Sequence, residues 1–348
     1  MANFVETSRY TARQAARVAW YGGQYVATRR RALRQLGPEQ ESYQPKGGFP
    51  TSRDMLSAMV DLFQRDLNNV AAGVYPQPDY TQGPLNALGL ARRYFDDVLE
   101  VTQRRQRHGH NEVRDLPEAR AGDYPHYYLQ NFHYQSDGWL SDDSAEIYDH
   151  QVEVLFTGTA DAMRRMALPY LKQAIDPAPH APRPRLLDVA TGTGRFLHWV
   201  KRAIPRARLT ALDLSQPYLD RAQALVPSVR TVQGAAERMP LADGVFDAAT
   251  CVYLFHELPP KVRPLVAQDL ARVVRPGGRL VVVDALQTGD RDDFDGMLEM
   301  FPRRFHEPYF TSYLEADIPA LFADAGLRTV QVEPAFLSKV FVFDKPTV

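Results

Sequence analysis

Strand-like and helix-like patterns of apolar positions alternate through the second half of the chain. Apolar runs that begin at residues 186, 208, 229 and 246, and a fifth that ends at Asp284, predict buried strands. Helical spacing predicts four helices, at 195–203, 216–226, 259–273 and 312–325. Two last apolar runs, 327–333 and 336–343, predict a closing hairpin. This order indicates an α/β fold with a mostly parallel sheet, whose ligands bind at the carboxyl ends of the strands.

The first 150 residues show helical patterns separated by loops. The predicted helices span 9–36, 53–72 and 84–106, and the Gly22-Gly23 pair is expected to break the first of them. That first helix is strongly basic, because Glu6 alone opposes its arginines, Arg9, Arg13, Arg17, Arg29, Arg30, Arg31 and Arg34. It either contacts an anionic membrane surface peripherally, or it exposes a solvated basic face while its aromatic side packs on the protein.

A strand, a tight turn and a helix start meet at residues 186–196. Asp188 ends the apolar run, and Gly192 and Gly194 let backbone N–H groups approach a ligand without an intervening Cβ. The turn is not a dinucleotide fingerprint, because Leu197 stands where that pattern needs a third small residue. No Gly-Lys-Ser/Thr tripeptide follows, which argues against a phosphate-binding P-loop.

Further elements follow this turn in a fixed order. Asp213 ends the second strand 25 residues after Asp188, where a carboxylate can accept hydrogen bonds from both hydroxyls of a ribose. The third strand leads into a loop that contains Ala235, Ala236 and Glu237. A Pro-Gly-Gly turn at 276–278 then enters the fifth strand.

Together these elements resemble the motifs of class I S-adenosyl-L-methionine (SAM) dependent methyltransferases. The resemblance is to the ubiquinone/menaquinone C-methyltransferase (methyltransferase type 11) branch, although Ala190 replaces the first glycine of motif I and Ala235 replaces a frequent Asp. It implies SAM as the cofactor and a Rossmann-like sheet with an antiparallel last strand, preceded here by an N-terminal α-helical domain. It also implies a cofactor site, formed by Tyr148, Asp188, Ala190, Thr191, Gly192, Gly194, Asp213, Leu214, Ala235, Ala236, Glu237 and Val252.

An aromatic and polar segment, residues 124–150, joins the two halves of the chain. In the resembled branch such a segment covers the cofactor, and Tyr148 matches that branch's tyrosine. The aromatic side chains here either form apolar walls for a substrate and contact the sulfonium of SAM, or attach the helical region to the sheet. The candidate substrate-contacting residues are Tyr134, Trp139, Tyr253, His306 and Tyr309.

The fourth strand leads into a His-Glu pair that can serve proton transfer. SAM already carries a good leaving group, so an enzyme mainly aligns the acceptor, and a nearby base helps to remove its proton. We expect His256 to be that base, with Glu257 orienting it or serving in its place, and with Asp284 as polar support. The alternative is that His256 only caps the following helix.

Composition indicates a globular cytoplasmic protein. The chain of 348 residues has 45% apolar and 24% charged residues, and 41 basic residues against 42 acidic ones give no attraction to nucleic acid. A nucleic-acid methyltransferase is further disfavoured because no Asn/Asp-Pro-Pro-Tyr/Phe motif occurs. A single cysteine, the lack of an 18-residue apolar run and a start without signal-peptide features predict a cytoplasmic location.

The sequence predicts no metal site. The histidines His108, His110, His126 and His133 lie in one part of the chain, but arginines surround the first two and no helical His-x₃-His pair occurs.

The sequence thus predicts a SAM-dependent methyltransferase with two parts. Residues 1–140 form a helical region that selects the substrate or acts as a lid, and residues 141–348 form the SAM-binding domain. The expected reaction is C- or O-methylation of a small, apolar or aromatic molecule. The alternatives are a SAM-binding protein without catalysis and a nicotinamide-dependent oxidoreductase.

Overall fold

A single seven-stranded sheet forms the centre of the molecule. The structure, a computed structural model, describes residues 4–36, 43–79, 84–107, 109, 111–122, 124–175 and 183–347. The strands are β1 (Arg185–Val189), β2 (Arg208–Asp213), β3 (Arg230–Gln233), β4 (Phe246–Val252), β5 (Val274–Ala285), β6 (Arg328–Ala335) and β7 (Ser338–Asp344). They lie in the order β3-β2-β1-β4-β5-β7-β6.

The sheet has the predicted mixed topology. β7 runs antiparallel to both β5 and β6, and every other pair is parallel. The α/β class, the antiparallel last strand and the closing hairpin are therefore confirmed. The chain direction across the sheet reverses between β1 and β4, which creates a crevice at the carboxyl ends of these two strands.

The first helices of the chain are α1 (Phe4–Leu36), α2 (Ser52–Ala71), α3 (Pro84–Gln106) and the short α4 (Pro117–Ala121). The predicted break at Gly22-Gly23 is wrong, since α1 is continuous through both glycines. A helical glycine costs up to about 1 kcal/mol relative to alanine. Contacts on both sides of the pair hold the helix instead: Tyr10 donates a hydrogen bond to Asp66 at 2.5 Å, and Gln24 Oε1 lies 2.8 Å from His150 Nε2.

The later helices cover both faces of the sheet. They are α5 (Asp142–Leu155), α6 (Ala160–Arg165), α7 (Leu168–Ile175), α8 (Arg195–Ala203), α9 (Gln216–Leu225), α10 (Arg263–Val273), α11 (Asp295–Arg304), α12 (Phe310–Leu314) and α13 (Ile318–Asp324). Two predicted helices were wrong in extent. The one expected at 259–273 begins only at Arg263, because Pro259 and Pro260 lie at its expected start and a residue before proline disfavours helical backbone. The one expected at 312–325 is split, because Asp317 caps a new helix by accepting a hydrogen bond from Ala320 N at 2.9 Å.

Buried polar contacts attach the N-terminal helices to the later ones. α1 and α3 pack on α5, and α2 packs on α6. Between α2 and α6, Arg165 donates two hydrogen bonds to the carboxylate of Asp66, at 2.8 and 2.6 Å, and both side chains are fully buried. The N-terminal helices are therefore held against the sheet-bearing part by a specific ionic contact as well as by apolar packing.

The basic helix α1 divides its arginines between internal and external positions. Arg17 forms a 2.8 Å ion pair with Glu153 of α5, whereas Arg29 and Arg30 are exposed. Among the described residues, no helix is both long enough and apolar enough to cross a bilayer.

Candidate active site

A cavity lies at the carboxyl edge of the sheet, beside the reversal between β1 and β4. Residues that follow β1, β2, β3 and β4 form one side of it, and the aromatic segment before and within α5 forms the other. It is lined by Tyr127, Tyr128, Phe132, Trp139, Tyr148, Ala190, Gly192, Leu212, Asp213, Leu214, Tyr218, Gly234, Ala236, Val252, Tyr253, Leu254, Glu257 and Leu258.

The turn after β1 has a left-handed backbone at three positions. Ala190, Gly192 and Gly194 have φ values of 54°, 54° and 76°. A Cβ added to Gly192 would meet only Tyr218, at 4.0 Å, so this glycine leaves space in the cavity for a ligand. A Cβ added to Gly194 would lie 2.8 Å from Ala222 Cα, so this second glycine allows α8 and α9 to pack. The two glycines thus serve different purposes.

Asp213, at the end of β2, lines the cavity and fixes the turn. Its Oδ2 accepts a hydrogen bond from Gly192 N at 2.8 Å, and its Oδ1 accepts one from Ser215 N at 2.9 Å. Burial raises the pKa of Asp213, and these backbone donors lower it. Each carboxylate oxygen can accept further hydrogen bonds, which suits a ribose with two adjacent hydroxyls.

Asp188 lies beneath the turn and does not line the cavity. Its carboxylate accepts hydrogen bonds from Thr191 Oγ1 at 2.7 Å and from Thr250 Oγ1 at 2.5 Å. Burial raises the pKa of Asp188 to about 6, although the two hydroxyl donors lower it. The structure therefore places Asp188 and Thr191 as supports of the turn.

The aromatic segment forms the wall opposite the sheet. Phe132 and Trp139 stack with ring centroids 4.5 Å apart, and both line the cavity. Tyr127 donates a hydrogen bond to the Glu237 carboxylate, 2.8 Å from Oε2, which attaches this wall to the loop after β3. Ser215 Oγ donates to the backbone oxygen of Trp139 at 2.6 Å. The segment thus both borders the cavity and attaches to the sheet side, as the two sequence-based alternatives proposed.

A contact that the sequence did not reveal joins α5 to the glycine turn. Thr193 Oγ1 donates a hydrogen bond to Asp149 Oδ1 at 2.8 Å. The neighbouring Tyr148 lines the cavity, and its ring packs edge-on against Tyr218 with centroids 5.4 Å apart. α5 therefore positions the tyrosine that the sequence assigned to the cofactor.

His256 lies behind the cavity surface and is oriented by Asp284. Its Nδ1 donates to Asp284 Oδ1 at 2.6 Å, and Phe255 N donates to the other oxygen of that carboxylate at 2.8 Å. Burial lowers the pKa of His256, but the charge and hydrogen bond of Asp284, with the charge of Glu257, raise it to about 9. The structure thus gives the orienting role to Asp284 and places Glu257 on the other side of the ring.

Glu257 is the acidic member of the predicted pair that reaches the cavity. Its Oε1 lies 3.8 Å from His256 Nε2. Burial raises the pKa of Glu257 well above its usual value, His256 partly lowers it, and Glu307 raises it further. Of the two predicted catalytic residues, Glu257 is therefore the one that can face an acceptor.

The predicted substrate-contacting residues separate into three groups. Trp139 and Tyr253 line the cavity. His306 and Tyr309 do not line it, but both contact Gln130. His306 Nε2 lies 3.0 Å from Gln130 Oε1, and Gln130 Nε2 donates a hydrogen bond to Tyr309 Oη at 3.0 Å. The side chain of Tyr134 lies outside the described part of the structure.

The predicted cofactor residues divide in a similar way. Those that line the cavity are Tyr148, Ala190, Gly192, Asp213, Leu214, Ala236 and Val252. The remaining ones are not cavity-lining: Asp188, Thr191, Gly194, Ala235 and Glu237.

Sequence reasoning missed His133 and Glu307, which lie beside Glu257. One potential ligand atom of each of these three side chains lies within 4.8 Å of the others. They come from three separate parts of the chain, and no local spacing signals such a group. His133 entered the sequence analysis only as a histidine near His126, and His108 and His110 lie outside the described residues.

The site fits SAM. The open space over Gly192 admits a ligand against the turn, and Asp213 offers a carboxylate to a ribose beside it. Ala236, Leu214 and Val252 supply apolar contact surface, and Tyr148 lies nearby on α5. These are the groups that a nucleoside with a short charged substituent requires.

Comparison with known proteins agrees with this geometry. Residues 186–278 match the family described as methyltransferase domain. A demethylmenaquinone methyltransferase from Deinococcus radiodurans is 36% identical over 141 residues, which cover 39% of this chain and 55% of that protein. A ubiquinone/menaquinone biosynthesis C-methyltransferase from Syntrophotalea carbinolica is 36% identical over 107 residues, which cover 30% of this chain and 44% of that protein. The chain thus spans about half the length of these curated relatives.

A solved SAM-dependent methyltransferase from Aquifex aeolicus is 21% identical, covers 53% of this chain and 97% of its own, and superposes with a TM-score of 0.38. The family match covers the strands and turns that form the cavity floor, from β1 to the Pro-Gly-Gly turn. Residues 186–278 are thus similar to a methyltransferase domain, SAM is the cofactor that fits the cavity, and the chain resembles the ubiquinone/menaquinone C-methyltransferase branch of the class I methyltransferases.

Proposed function

We propose that this protein transfers the methyl group of SAM to a ring carbon of a small, quinone-like acceptor. One observation carries the proposal: a single cavity joins the glycine turn and Asp213 to an aromatic wall and to Glu257. The names of the two curated relatives, which refer to menaquinone or ubiquinone, support an aromatic acceptor of this class.

The aromatic wall suits a flat, apolar acceptor. Phe132, Trp139 and Tyr128 present ring surfaces to the cavity, and aromatic rings favour offset stacking on other rings. Tyr253, on the sheet side, has its hydroxyl 2.7 Å from Ser338 Oγ, so it presents its ring rather than a free hydroxyl. The wall also keeps water away from the reacting atoms.

The chain's own residues then position the acceptor and accept its proton. Bound SAM would supply the methyl group of its sulfonium to the acceptor carbon, and the sulfur would be left as a neutral thioether. Glu257, at the cavity surface, accepts the proton that the acceptor loses. Asp284 and His256 hold Glu257 in place from behind, so they act as positioning residues.

The test combines SAM binding with methyl transfer. The full chain is incubated with methyl-labelled SAM and reduced naphthoquinones that lack one ring methyl. Glu257→Gln is expected to lower kcat by about 10²-fold or more with unchanged SAM affinity, because the carboxylate that accepts the proton is removed and the cofactor contacts are kept. Asp213→Ala is expected to weaken SAM binding by about tenfold or more, because a charged hydrogen-bond acceptor is removed.

The exposed Glu315→Gln is the matched control and should behave like the wild type. SAM binding without transfer to any acceptor would contradict an enzymatic role and leave a SAM-binding protein. Label on an acceptor oxygen would overturn the ring-carbon assignment. Binding of NADH in place of SAM would favour the oxidoreductase alternative.

A further inference from the structure

Three side chains that can bind a metal converge beside the cavity, and one of them, Glu257, also lines it. His133 lies in a short turn at 132–134, Glu257 lies in the turn after β4, and Glu307 lies three residues before the start of α12. One potential ligand atom from each lies within 4.8 Å of the other two. This spacing allows one ion to contact all three side chains.

Glu307 is the second, independent indication. It is only 2% exposed, and neither of its carboxylate oxygens accepts a hydrogen bond from the described residues. Its Oε1 lies 2.9 Å from His133 Nε2, but the contact lacks the alignment of a hydrogen bond. A buried carboxylate without donors is costly, and such groups normally pair with a charge or coordinate a metal.

We propose that His133, Glu257 and Glu307 bind a divalent transition-metal ion. One imidazole and two carboxylates form a mixed nitrogen and oxygen donor set. This set suits Zn²⁺, Mn²⁺ or Fe²⁺ better than Mg²⁺ or Ca²⁺, because the latter two prefer ligands that are all oxygen. Three protein ligands leave further coordination positions open, as in catalytic rather than structural sites.

The surroundings of His133 hold its ring towards this site. Phe301 and Phe305 pack edge-on against the imidazole, with centroids 6.1 and 6.0 Å away. The backbone N–H of His133 donates to the carbonyl of His306 at 3.3 Å, which joins the segments that carry His133 and Glu307. Two of the three ligands are therefore held together by the fold itself.

The position of Glu257 suggests what the ion does. Glu257 also lines the cavity, so an ion at this site would border the space for the acceptor. Its open positions would bind oxygen atoms of the acceptor, such as the hydroxyls of a reduced quinone; this step rests on the proposed function. A carboxylate has two oxygens, so Glu257 can bind the ion through one and face the acceptor with the other.

The test measures metal binding alone, without SAM or acceptor. The full chain is stripped with a chelator, dialysed, and titrated separately with Zn²⁺, Mn²⁺ and Mg²⁺. We expect one equivalent of Zn²⁺ or Mn²⁺ to bind, with weaker binding of Mg²⁺, and the melting temperature to rise as the ion is added. A failure of methyl transfer would leave this result untouched, so the two proposals fail separately.

Two variants and a control locate the bound ion. Glu307→Gln and His133→Asn should each weaken binding by at least tenfold and abolish the metal-dependent rise in melting temperature. His198→Ala, at a partly buried histidine beside Trp199, should bind as the wild type does. If Glu307→Gln does not fold, His133→Asn decides alone.

Two outcomes would overturn the site. The first is wild-type affinity in either folded variant, which would place the ion elsewhere. The second is no binding by the wild type together with loss of stability in Glu307→Gln, which would identify a plain His133–Glu307 ion pair.

Discussion

At the scale of single residues, one glycine in the turn after β1 leaves space for a ligand and another allows two helices to pack. Ala190, Gly192 and Gly194 all have positive φ, a conformation that costs an L-residue with a side chain about 1–2 kcal/mol. The turn tolerates this strain at Ala190. The positive φ alone therefore does not make glycine necessary in this turn. The atoms that an added Cβ would contact also matter.

Gly194→Ala tests this distinction. The new Cβ would lie 2.8 Å from Ala222 Cα, so it adds overpacking to the backbone strain. We expect it to lower the free energy of unfolding by about 1–3 kcal/mol more than Gly192→Ala, measured by urea denaturation. Gly192→Ala is the matched control, because it carries the same strain without the clash; equal losses in the two variants would show that packing of α8 on α9 is not the constraint.

At the scale of elements, the contact between α1 and α5 depends on a neutral histidine. His150 is only 4% exposed, its Nε2 lies 2.8 Å from Gln24 Oε1, and Tyr21 and Tyr94 pack against its ring. Burial lowers the pKa of His150 to about 4. The unfolded chain keeps the ordinary value near 6.5, so protonation favours unfolding throughout the interval between these two values.

The pH dependence of stability follows from this shift. The contribution of His150 is fully present above about pH 6.5 and is lost as the pH falls towards 4, a change of up to about 3 kcal/mol. His150→Gln keeps a polar side chain without a titrating group, so its stability should fall less steeply over the same range. Urea denaturation of both proteins at pH 4.5 and 7.5 measures the difference; identical pH profiles would refute the assignment.

At the scale of the whole molecule, two buried ionic networks join the N-terminal helices to the sheet-bearing part. In the first, Arg165 and Tyr75 both donate to Asp66. In the second, Arg17 of α1 pairs with Glu153, and Asp161 of α6 pairs with Arg195 of α8, which follows the glycine turn. The helical region is therefore connected to the glycine turn through specific charges.

Asp66→Ala tests how much the first network contributes. The substitution leaves the fully buried Arg165 without its carboxylate, and breaking a buried ion pair in this way costs about 3–5 kcal/mol. The control is Asp115→Ala, whose pair with Arg120 is exposed and should contribute no more than about 1 kcal/mol. Urea denaturation gives both values. A loss at Asp66 as small as that at Asp115 would contradict the role of the network.

Local patterns were sufficient for most of the fold and for the glycine turn and the acid that border the cavity. The strand-to-helix turn at 186–196 and the acid at the end of β2 are encoded by neighbouring residues, so both were predictable. Helix boundaries were less so: α1 continues through Gly22-Gly23 because distant partners hold both of its halves. The cap at Asp317 split a predicted helix because a local hydrogen bond outweighed the apolar periodicity.

The sequence by itself determined the α/β order and the glycine turn, because each depends on periodicity or spacing within a short stretch of chain, and the resemblance of its motifs implied the class of cofactor. Only the tertiary structure decided that Asp284, far along the chain, orients His256, and that Asp188 supports the turn from below. It alone brought His133 and Glu307 to Glu257, from three segments that are well separated along the chain. The physical reason is that such groups form when separate elements pack, and no short-range pattern records which elements will meet.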